Sequence, residues 1–138
     1  MSGISYEEQM KWRNEVEYEV VSRNTGWGFT FVHPPKYYNY EIRNHQSERE
    51  ILEWEMTQLH DSDIVVVNLD QIDTTIGSHM ELGAVQAINM FGNKHIFVIG
   101  IIGNSDVLDL HPWIKEVCMR FEKTPKSAAE YISSYLFL

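Results

Sequence analysis

The stretch that decides the fold is Asp63-Ile-Val-Val-Val-Asn-Leu-Asp70. Its middle is a continuous run of β-branched and other apolar side chains, which is typical of a strand covered on both faces. A second such run, His95-Ile-Phe-Val-Ile-Gly-Ile101, follows after a helical pattern. Two buried strands joined through a helix predict a β–α–β unit with parallel strands.

Helix starts are marked on both sides of this unit. Ser5, Ser47 and Ser78 each precede a glutamate by three positions, which is the spacing of a capping box. Thr124, with Pro125 at the first helical position, has the features of an N-cap before a final helix. The sequence therefore predicts four helices, and the one that begins at Ser78 connects the two buried strands.

Two shorter strands are predicted outside the central pair. They are Phe29–Val32, which two prolines close, and Val117–Phe121. Residues 36–47 are expected to form a tyrosine-rich loop. Helices that alternate with continuous apolar strands indicate a single α/β domain over residues 1–138. We expect a three-layer, doubly wound, mostly parallel sheet of the flavodoxin or Rossmann kind, with helices on both faces.

Length and composition limit the function. The chain has 138 residues, enough for one domain, and a formal net charge of −9 without a basic cluster, which disfavours nucleic-acid partners. The single Cys118 lies in an apolar run and is expected to be a buried small hydrophobe rather than a nucleophile. With no leader sequence and no apolar run of about 18 residues, we expect a cytoplasmic protein without a membrane partner.

Polar side chains cluster after the strand that ends at Leu69, where open parallel sheets bind ligands. Glu81 follows this loop in the first turn of the next helix. One interpretation makes Glu81 only the capping-box partner of Ser78. The other makes it a nucleophile, because a carboxylate at the mouth of the sheet is directed at the ligand crevice and the positive helix end favours its ionised form.

Three parts of the chain closely resemble the nucleoside 2-deoxyribosyltransferase family and its nucleotide N-hydrolase relatives. They are the run over residues 63–70, the run Thr75-Ile-Gly-Ser-His-Met-Glu-Leu-Gly-Ala84 and the strand that reaches Gly100. The most specific part is the Glu-Leu-Gly that follows a small-polar, glycine, small-polar pattern directly after a strand and loop. The resemblance implies that Glu81 is the nucleophile that attacks the anomeric carbon of the sugar and forms a glycosyl-enzyme ester.

The similarity covers nearly the whole chain. Met1-Ser2-Gly3 with Trp12-Arg13 resembles the first loop and helix of the family, and His111-Pro112-Trp113 resembles its C-terminal section. The family has a strand with a Tyr-Leu-x-Gly-like sequence directly before the Met-Ser-Gly loop, where it forms an inner strand of the sheet. We expect either that the start lies upstream or that the sheet lacks this strand.

Two further carboxylates belong to the predicted catalytic set. By the resemblance, an acidic residue eight positions before Asp63 interacts with the nucleobase or the nucleophile, and here it is Glu55 where the family usually has Asp. The alternative is a solvated carboxylate on a helix. Asp70 is expected to hydrogen bond to sugar hydroxyls, and the alternative is an Asx turn that opens the loop.

A second group of residues is expected to bind substrate. Tyr38 belongs to the tyrosine-rich loop and is suited to stacking on a base, although packing against a neighbouring subunit is an equal alternative. Asp73 and Ser78 are expected to contact ribose or phosphate, or to serve only as turn and cap residues. The full set is Ser2, Gly3, Tyr38, Asp73, Gly77 and Ser78.

The resemblance implies an enzyme of nucleoside salvage that cleaves the N-glycosidic bond of deoxynucleosides and transfers the sugar to a free nucleobase. No cofactor is expected, and the histidines lack the spacing of a metal site. The alternatives are a hydrolase of deoxynucleoside 5′-monophosphates and a non-catalytic nucleotide-binding module. The stretch from Asp70 to Glu81 contains no Arg or Lys for a phosphate, which favours the transferase.

Oligomers with shared active sites are also implied by the resemblance. The chain ends Tyr135-Leu-Phe-Leu138, an apolar tail that agrees with burial in a subunit interface. We therefore expect a homo-oligomer that acts on small-molecule nucleosides or nucleotides.

Overall fold

The fold alternates between helices and strands, as the sequence predicts. The computed structural model describes residues 5–24, 28–37, 46–70 and 76–136. In chain order, the elements are α1 (Tyr6–Arg23), α2 (Pro34–Tyr37), α3 (Glu48–Asp61), β1 (Ile64–Asn68), α4 (Ile76–Phe91), β2 (Phe97–Ile101), a 3-10 turn (Val107–Asp109), α5 (Pro112–Val117), β3 (Arg120–Glu122), α6 (Pro125–Tyr131) and a π-helical turn (Ile132–Leu136).

Within the described residues, three parallel strands form the sheet, in the order β1-β2-β3. The connections from β1 to β2 and from β2 to β3 pass through α4 and α5, which confirms the predicted β–α–β arrangement. Beside β1, the Phe97 N–H donates to the carbonyl of Asp63 (3.0 Å), and the Leu69 N–H donates to the carbonyl of Ile101 (2.7 Å). Because backbone groups alternate in direction along a strand, those of Val66 point to the opposite edge of β1.

Apolar clusters cover both faces of the sheet. Val67 and Val98 belong to the cluster that α3, α4 and α5 close. Val66 and Ile99 face the other way and pack with side chains of α1 and α6. The alternation along each strand therefore places helices on both faces, and the three-layer α/β fold of the Rossmann kind is confirmed.

Three of the four predicted N-caps are present. The hydroxyl of Ser5 accepts from the backbone N–H of Glu8, and the hydroxyl of Ser47 accepts from the N–H of Glu50, both at 3.2 Å. Thr124 begins α6 with a complete capping box. Each cap satisfies a backbone donor that the first helical turn leaves unpaired.

Ser78 is not an N-cap, because α4 begins two residues earlier, at Ile76. Ser78 lies inside the first turn of the helix and at the wall of a cavity, so the capping-box interpretation of the S-x-x-E pattern is wrong. The residue directly before Ile76 lies outside the described part of the chain. The helix therefore begins earlier in the chain than the serine pattern predicts.

Two of the predicted strands also need correction. Phe29–Val32 is not a strand in the structure; Phe29 and Phe31 instead pack against the cluster that α1 and α6 form. The strand expected at Val117–Phe121 is Arg120–Glu122, because Val117 is the last residue of α5 and is buried on its inner side. The first two residues of the loop expected at 36–47 instead belong to the helical turn Pro34–Tyr37, and residues 38–45 of that prediction lie outside the described residues.

Candidate active site

A cavity of about 130 Å³ lies along β1, between α1 and α4. It reaches the carboxyl end of the strand, which is where parallel α/β sheets bind ligands. Its walls come from three elements and from one residue of the turn after β1: Val65–Asn68 of β1, Asp70 two residues after the strand, Glu8, Gln9, Trp12 and Arg13 of α1, and Ser78, Glu81, Leu82 and Val85 of α4. The carboxylate that the sequence singles out therefore lies at the predicted place.

A larger hollow of about 430 Å³ lies elsewhere, on the outer surface of α3. Its wall includes the exposed ion pair of Arg49 and Glu53, whose Nε and Oε1 atoms are 2.9 Å apart. None of the predicted site residues lines it. The smaller cavity along β1 is therefore the candidate active site.

Glu81 lines this cavity from α4. The carboxyl group of Glu55, on the neighbouring α3, lies close enough to Glu81 to interact with it. Among the described residues, no group pairs with Oε1 of Glu55, although this atom is buried. The interpretation of Glu55 as a solvated helix carboxylate is therefore wrong, because its side chain turns inward to Glu81.

The surroundings of Glu81 favour its neutral form. Burial raises the pKa of Glu81 to about 9, the hydrogen bond and the charge of Glu55 add to this rise, and the guanidinium of Arg13 opposes it. Burial and the second carboxyl therefore oppose the ionised form that the helix N-terminus favours. At neutral pH Glu81 holds a proton beside Glu55.

Arg13 is the site residue that the sequence-based predictions miss. It lies on α1 with its guanidinium 4.5 Å from the centre of the Trp12 ring, and it donates a hydrogen bond to the carbonyl of Gln9 one turn earlier. Gln9, Trp12 and Arg13 line the cavity together because residues three and four apart share a helix face. That spacing is visible in the sequence and is the signal that could have identified Arg13.

Asp70 links the ends of two neighbouring strands. The hydroxyl of Ser105 donates to Oδ1 of Asp70 (3.2 Å), and the backbone N–H of Asp70 donates to Oδ1 of Asn68 (3.0 Å). The alternative for Asp70 was an Asx turn. In the structure, the side chain that accepts the hydrogen bond of such a turn is that of Asn68, and Asp70 supplies the backbone N–H. Gly103 has a positive φ of 57°, and a Cβ there would lie 2.8 Å from Oδ2 of Asp70. The backbone that follows β2 therefore passes directly against the carboxylate of Asp70.

The remaining predicted residues are only partly described. Gly77 and Ser78 lie in the first turn of α4. Ser2, Gly3, Tyr38 and Asp73 lie outside the described residues. Within the described ranges, no group of three His, Cys, Asp or Glu side chains is placed to hold a metal ion, and none of the helices has the length and apolar character to span a bilayer.

An open parallel sheet between two layers of helices defines a Rossmann-like α/β protein, and the cavity with Glu81 lies along its strand β1. The sequence model described as "Nucleoside 2-deoxyribosyltransferase like" matches residues 2–100, and the chain therefore belongs to this family. The matched stretch contains Arg13, Glu55, Asp70 and Glu81. No curated protein and no solved structure shows significant similarity to the chain.

Proposed function

We propose that this protein is an enzyme that cleaves the N-glycosidic bond of deoxynucleosides and transfers the deoxyribosyl group to another nucleobase. The observation that carries the proposal is the carboxyl of Glu81 at the wall of the cavity along β1, with the carboxyl of Glu55 beside it. Breaking this bond requires a nucleophile for the sugar and a proton for the departing base, and the pair supplies both. Family membership supports the class of substrate.

In the first half of the reaction, Glu55 takes the proton of Glu81, and the freed carboxylate of Glu81 attacks the anomeric carbon. The bond from this carbon to the base nitrogen breaks as the ester bond to Glu81 forms. The electron pair of the broken bond goes to the base, which takes the proton from Glu55. The products are a neutral base, a deoxyribosyl ester on Glu81 and an ionised Glu55, so charge and protons balance.

In the second half, another nucleobase attacks the anomeric carbon of the ester and releases Glu81 as a carboxylate. The proton that the incoming base loses goes to Glu55 and restores the pair. The two half-reactions make the kinetics ping-pong. Water in place of the second base would give hydrolysis, so the exclusion of water decides between the two outcomes.

Further residues have roles in this proposal. Asp70 accepts hydrogen bonds from sugar hydroxyls, since it lines the cavity. Its described side-chain hydrogen bond, from the hydroxyl of Ser105, uses only Oδ1. Gly77 and Ser78, in the first turn of α4, contact the ribose. Ser2, Gly3, Tyr38 and Asp73 remain predicted substrate-binding residues. The described cavity is smaller than the ~300–1,000 Å³ of typical ligand pockets, so its walls enclose only part of a nucleoside.

Hydrolysis of deoxynucleoside 5′-monophosphates is the second candidate, and Arg13 favours it. The preference for a transferase rests on the lack of a cation between Asp70 and Glu81, but α1 adds a guanidinium to the same cavity. Arginine presents a planar array of donors that suits phosphate oxygens. A strong preference for monophosphates that Arg13→Met abolishes would support this candidate.

The proposal is tested by incubating the protein with a deoxynucleoside and a different free base and separating the products by chromatography. We expect base exchange, together with a protein adduct one deoxyribosyl group heavier in mass spectrometry. Glu81→Gln should abolish both, whereas Glu116→Gln, at an exposed position of α5, should leave both unchanged. Free base without exchange would indicate the hydrolase, and full activity of Glu81→Gln would refute the assigned nucleophile.

A further inference from the structure

Ser105 lies in the turn after β2 and bonds to a residue of the candidate site. Its hydroxyl donates a hydrogen bond to Oδ1 of Asp70 (3.2 Å), which lies 35 positions earlier in the chain. Asp70 lines the cavity along β1, whereas Ser105 is not among the described residues that line it. Ser105 can therefore act on a bound ligand through the carboxylate of Asp70, without touching the ligand itself.

The turn that carries Ser105 is fixed by backbone hydrogen bonds. The N–H of Ser105 donates to the carbonyl of Ile102 (2.9 Å), which closes the turn. The N–H of Ile102 donates to the carbonyl of Glu122 (2.9 Å), and the N–H of Gly103 donates to the carbonyl of Lys123 (3.1 Å). The pairing of β2 with β3 thus continues past the end of β2, and the hydroxyl of Ser105 is presented from an anchored backbone.

The main chain of Asp70 is fixed as well, so only its side chain is left to move. Its N–H donates to Oδ1 of Asn68 (3.0 Å), and the preceding Leu69 is buried and paired with β2. An exposed aspartate otherwise exchanges between side-chain rotamers. The hydrogen bond from Ser105 to the carboxylate is charge-assisted and favours one of these rotamers. The backbone of Gly103 confines the other oxygen, because a Cβ there would lie 2.8 Å from Oδ2.

This arrangement leaves Asp70 with one oxygen, Oδ2, that has no side-chain hydrogen bond among its described contacts. A carboxylate with two available oxygens accepts two neighbouring donors at once. The vicinal 2′ and 3′ hydroxyls of a ribose form such a pair of donors, whereas a 2-deoxyribose offers a single hydroxyl there. Occupation of Oδ1 by Ser105 therefore disfavours ribose and suits deoxyribose.

We propose that Ser105 is a positioning residue that makes the site selective for 2-deoxyribose over ribose, by holding Asp70 so that it accepts a single sugar hydroxyl at Oδ2. The inference rests on the proposed function, in which Asp70 binds the sugar that Glu81 attacks. It places a cause of sugar selectivity outside the cavity wall. The second hydroxyl of a ribose is left without its partner in the complex, and an unpaired polar group lowers affinity.

The test compares the binding of the four common deoxynucleosides with that of the four matching ribonucleosides by calorimetry. Glu81→Gln provides the background, because the ligands stay intact without the nucleophile. We expect tighter binding of the deoxynucleosides. Adding Ser105→Ala should reduce this preference by about 10-fold, since the freed Oδ1 accepts the second hydroxyl. Ser105→Thr keeps the hydroxyl and should keep the preference. An unchanged preference with Ser105→Ala, or the same affinity for both sugars before it is introduced, would overturn the proposal.

Matched variants separate this role from a general effect on the fold. With Asp70→Ala in the same chain, Ser105→Ala should not change the preference further, because Ser105 acts through Asp70. An equal effect with and without Asp70→Ala would contradict that. Ser134→Ala makes the same substitution at an exposed serine and should leave the preference unchanged.

The wild-type protein distinguishes a failure of this inference from a failure of the proposed function. Selective binding of deoxynucleosides, without exchange or release of base, would refute the proposed function and leave the role of Ser105 intact. Base exchange with the same ratio of kcat/KM for deoxynucleosides and ribonucleosides in the wild type and in Ser105→Ala would refute the role of Ser105 alone.

Discussion

Glu81 is held in a state that an isolated glutamate does not have at neutral pH. Burial at the cavity wall and the neighbouring carboxyl of Glu55 raise its pKa from 4.5 to about 9. Between these two values, the folded chain holds a proton that the unfolded chain releases. The free energy of unfolding therefore falls as the pH rises through this range. The decrease that Glu81 causes is complete above the pKa of the folded state.

Glu81→Gln should remove this pH dependence. Glutamine keeps a hydrogen-bonding group beside Glu55 but cannot ionise, so between pH 5 and pH 8 the variant should lose about 4 kcal/mol less stability than the wild type. The measurement is urea unfolding at both pH values and one protein concentration. Glu116→Gln, at an exposed site, should behave like the wild type, and parallel pH curves for all three proteins would contradict the assigned protonation.

Single residues differ in how much of their role the sequence predicts. Glu81 is singled out by its motif and its place after a strand, but its raised pKa depends on burial and on Glu55, which lies on another helix. Arg13 lies 68 positions before Glu81 and reaches the cavity only through the packing of α1 on the sheet. Environment and long-range proximity are properties of the fold, so residue patterns alone do not predict them.

At the scale of elements, one side chain joins the end of α4 to the start of β2. The side-chain amide of Asn89 donates to the carbonyl of Ile96 (2.9 Å) and accepts from its N–H (2.7 Å). Ile96 is fully buried, so its backbone groups have no access to water as an alternative partner. Asn89 thus satisfies both groups at the point where the chain enters the central strand.

Asn89→Ala should lower the free energy of unfolding by about 2–4 kcal/mol, because it leaves a buried donor and a buried acceptor unpaired. Asn93→Ala is the matched control, since Asn93 is exposed in the turn that follows α4, and it should change stability by less than about 0.5 kcal/mol. Chemical denaturation of the two variants measures the difference. Equal stabilities would show that water or other groups replace the amide.

Elements specified by local chemistry are predicted better than those that need a partner. Ser5, Ser47 and Thr124 cap helices where the sequence places them, since a cap involves only the next three residues. Phe29–Val32 has the composition of a strand, yet strand formation also requires a neighbouring edge, and its aromatic side chains pack on an apolar cluster instead. The prediction of the two buried strands, β1 and β2, is confirmed because each strand pairs with the other.

For the whole molecule, the alternation of side chains along the sheet joins two apolar clusters into one folded unit. Val98 and Ile99 are adjacent in the chain and are both fully buried, but they belong to opposite clusters. The middle strand is therefore covered on both faces and paired on both edges. The continuous apolar character of the two central strands predicts this layering correctly.

The edge of β1 that faces away from β2 has a consequence for isotope exchange in deuterated water. The amides of Val65 and Val67 point to β2, whereas those of Ile64, Val66 and Asn68 point to the cavity side, where the described chain offers no strand. We expect the second set to exchange at least about 100-fold faster in NMR spectra. Equal protection would mean that another segment pairs with this edge. A single strand thus reports, amide by amide, which side of the sheet is sealed and which side admits solvent.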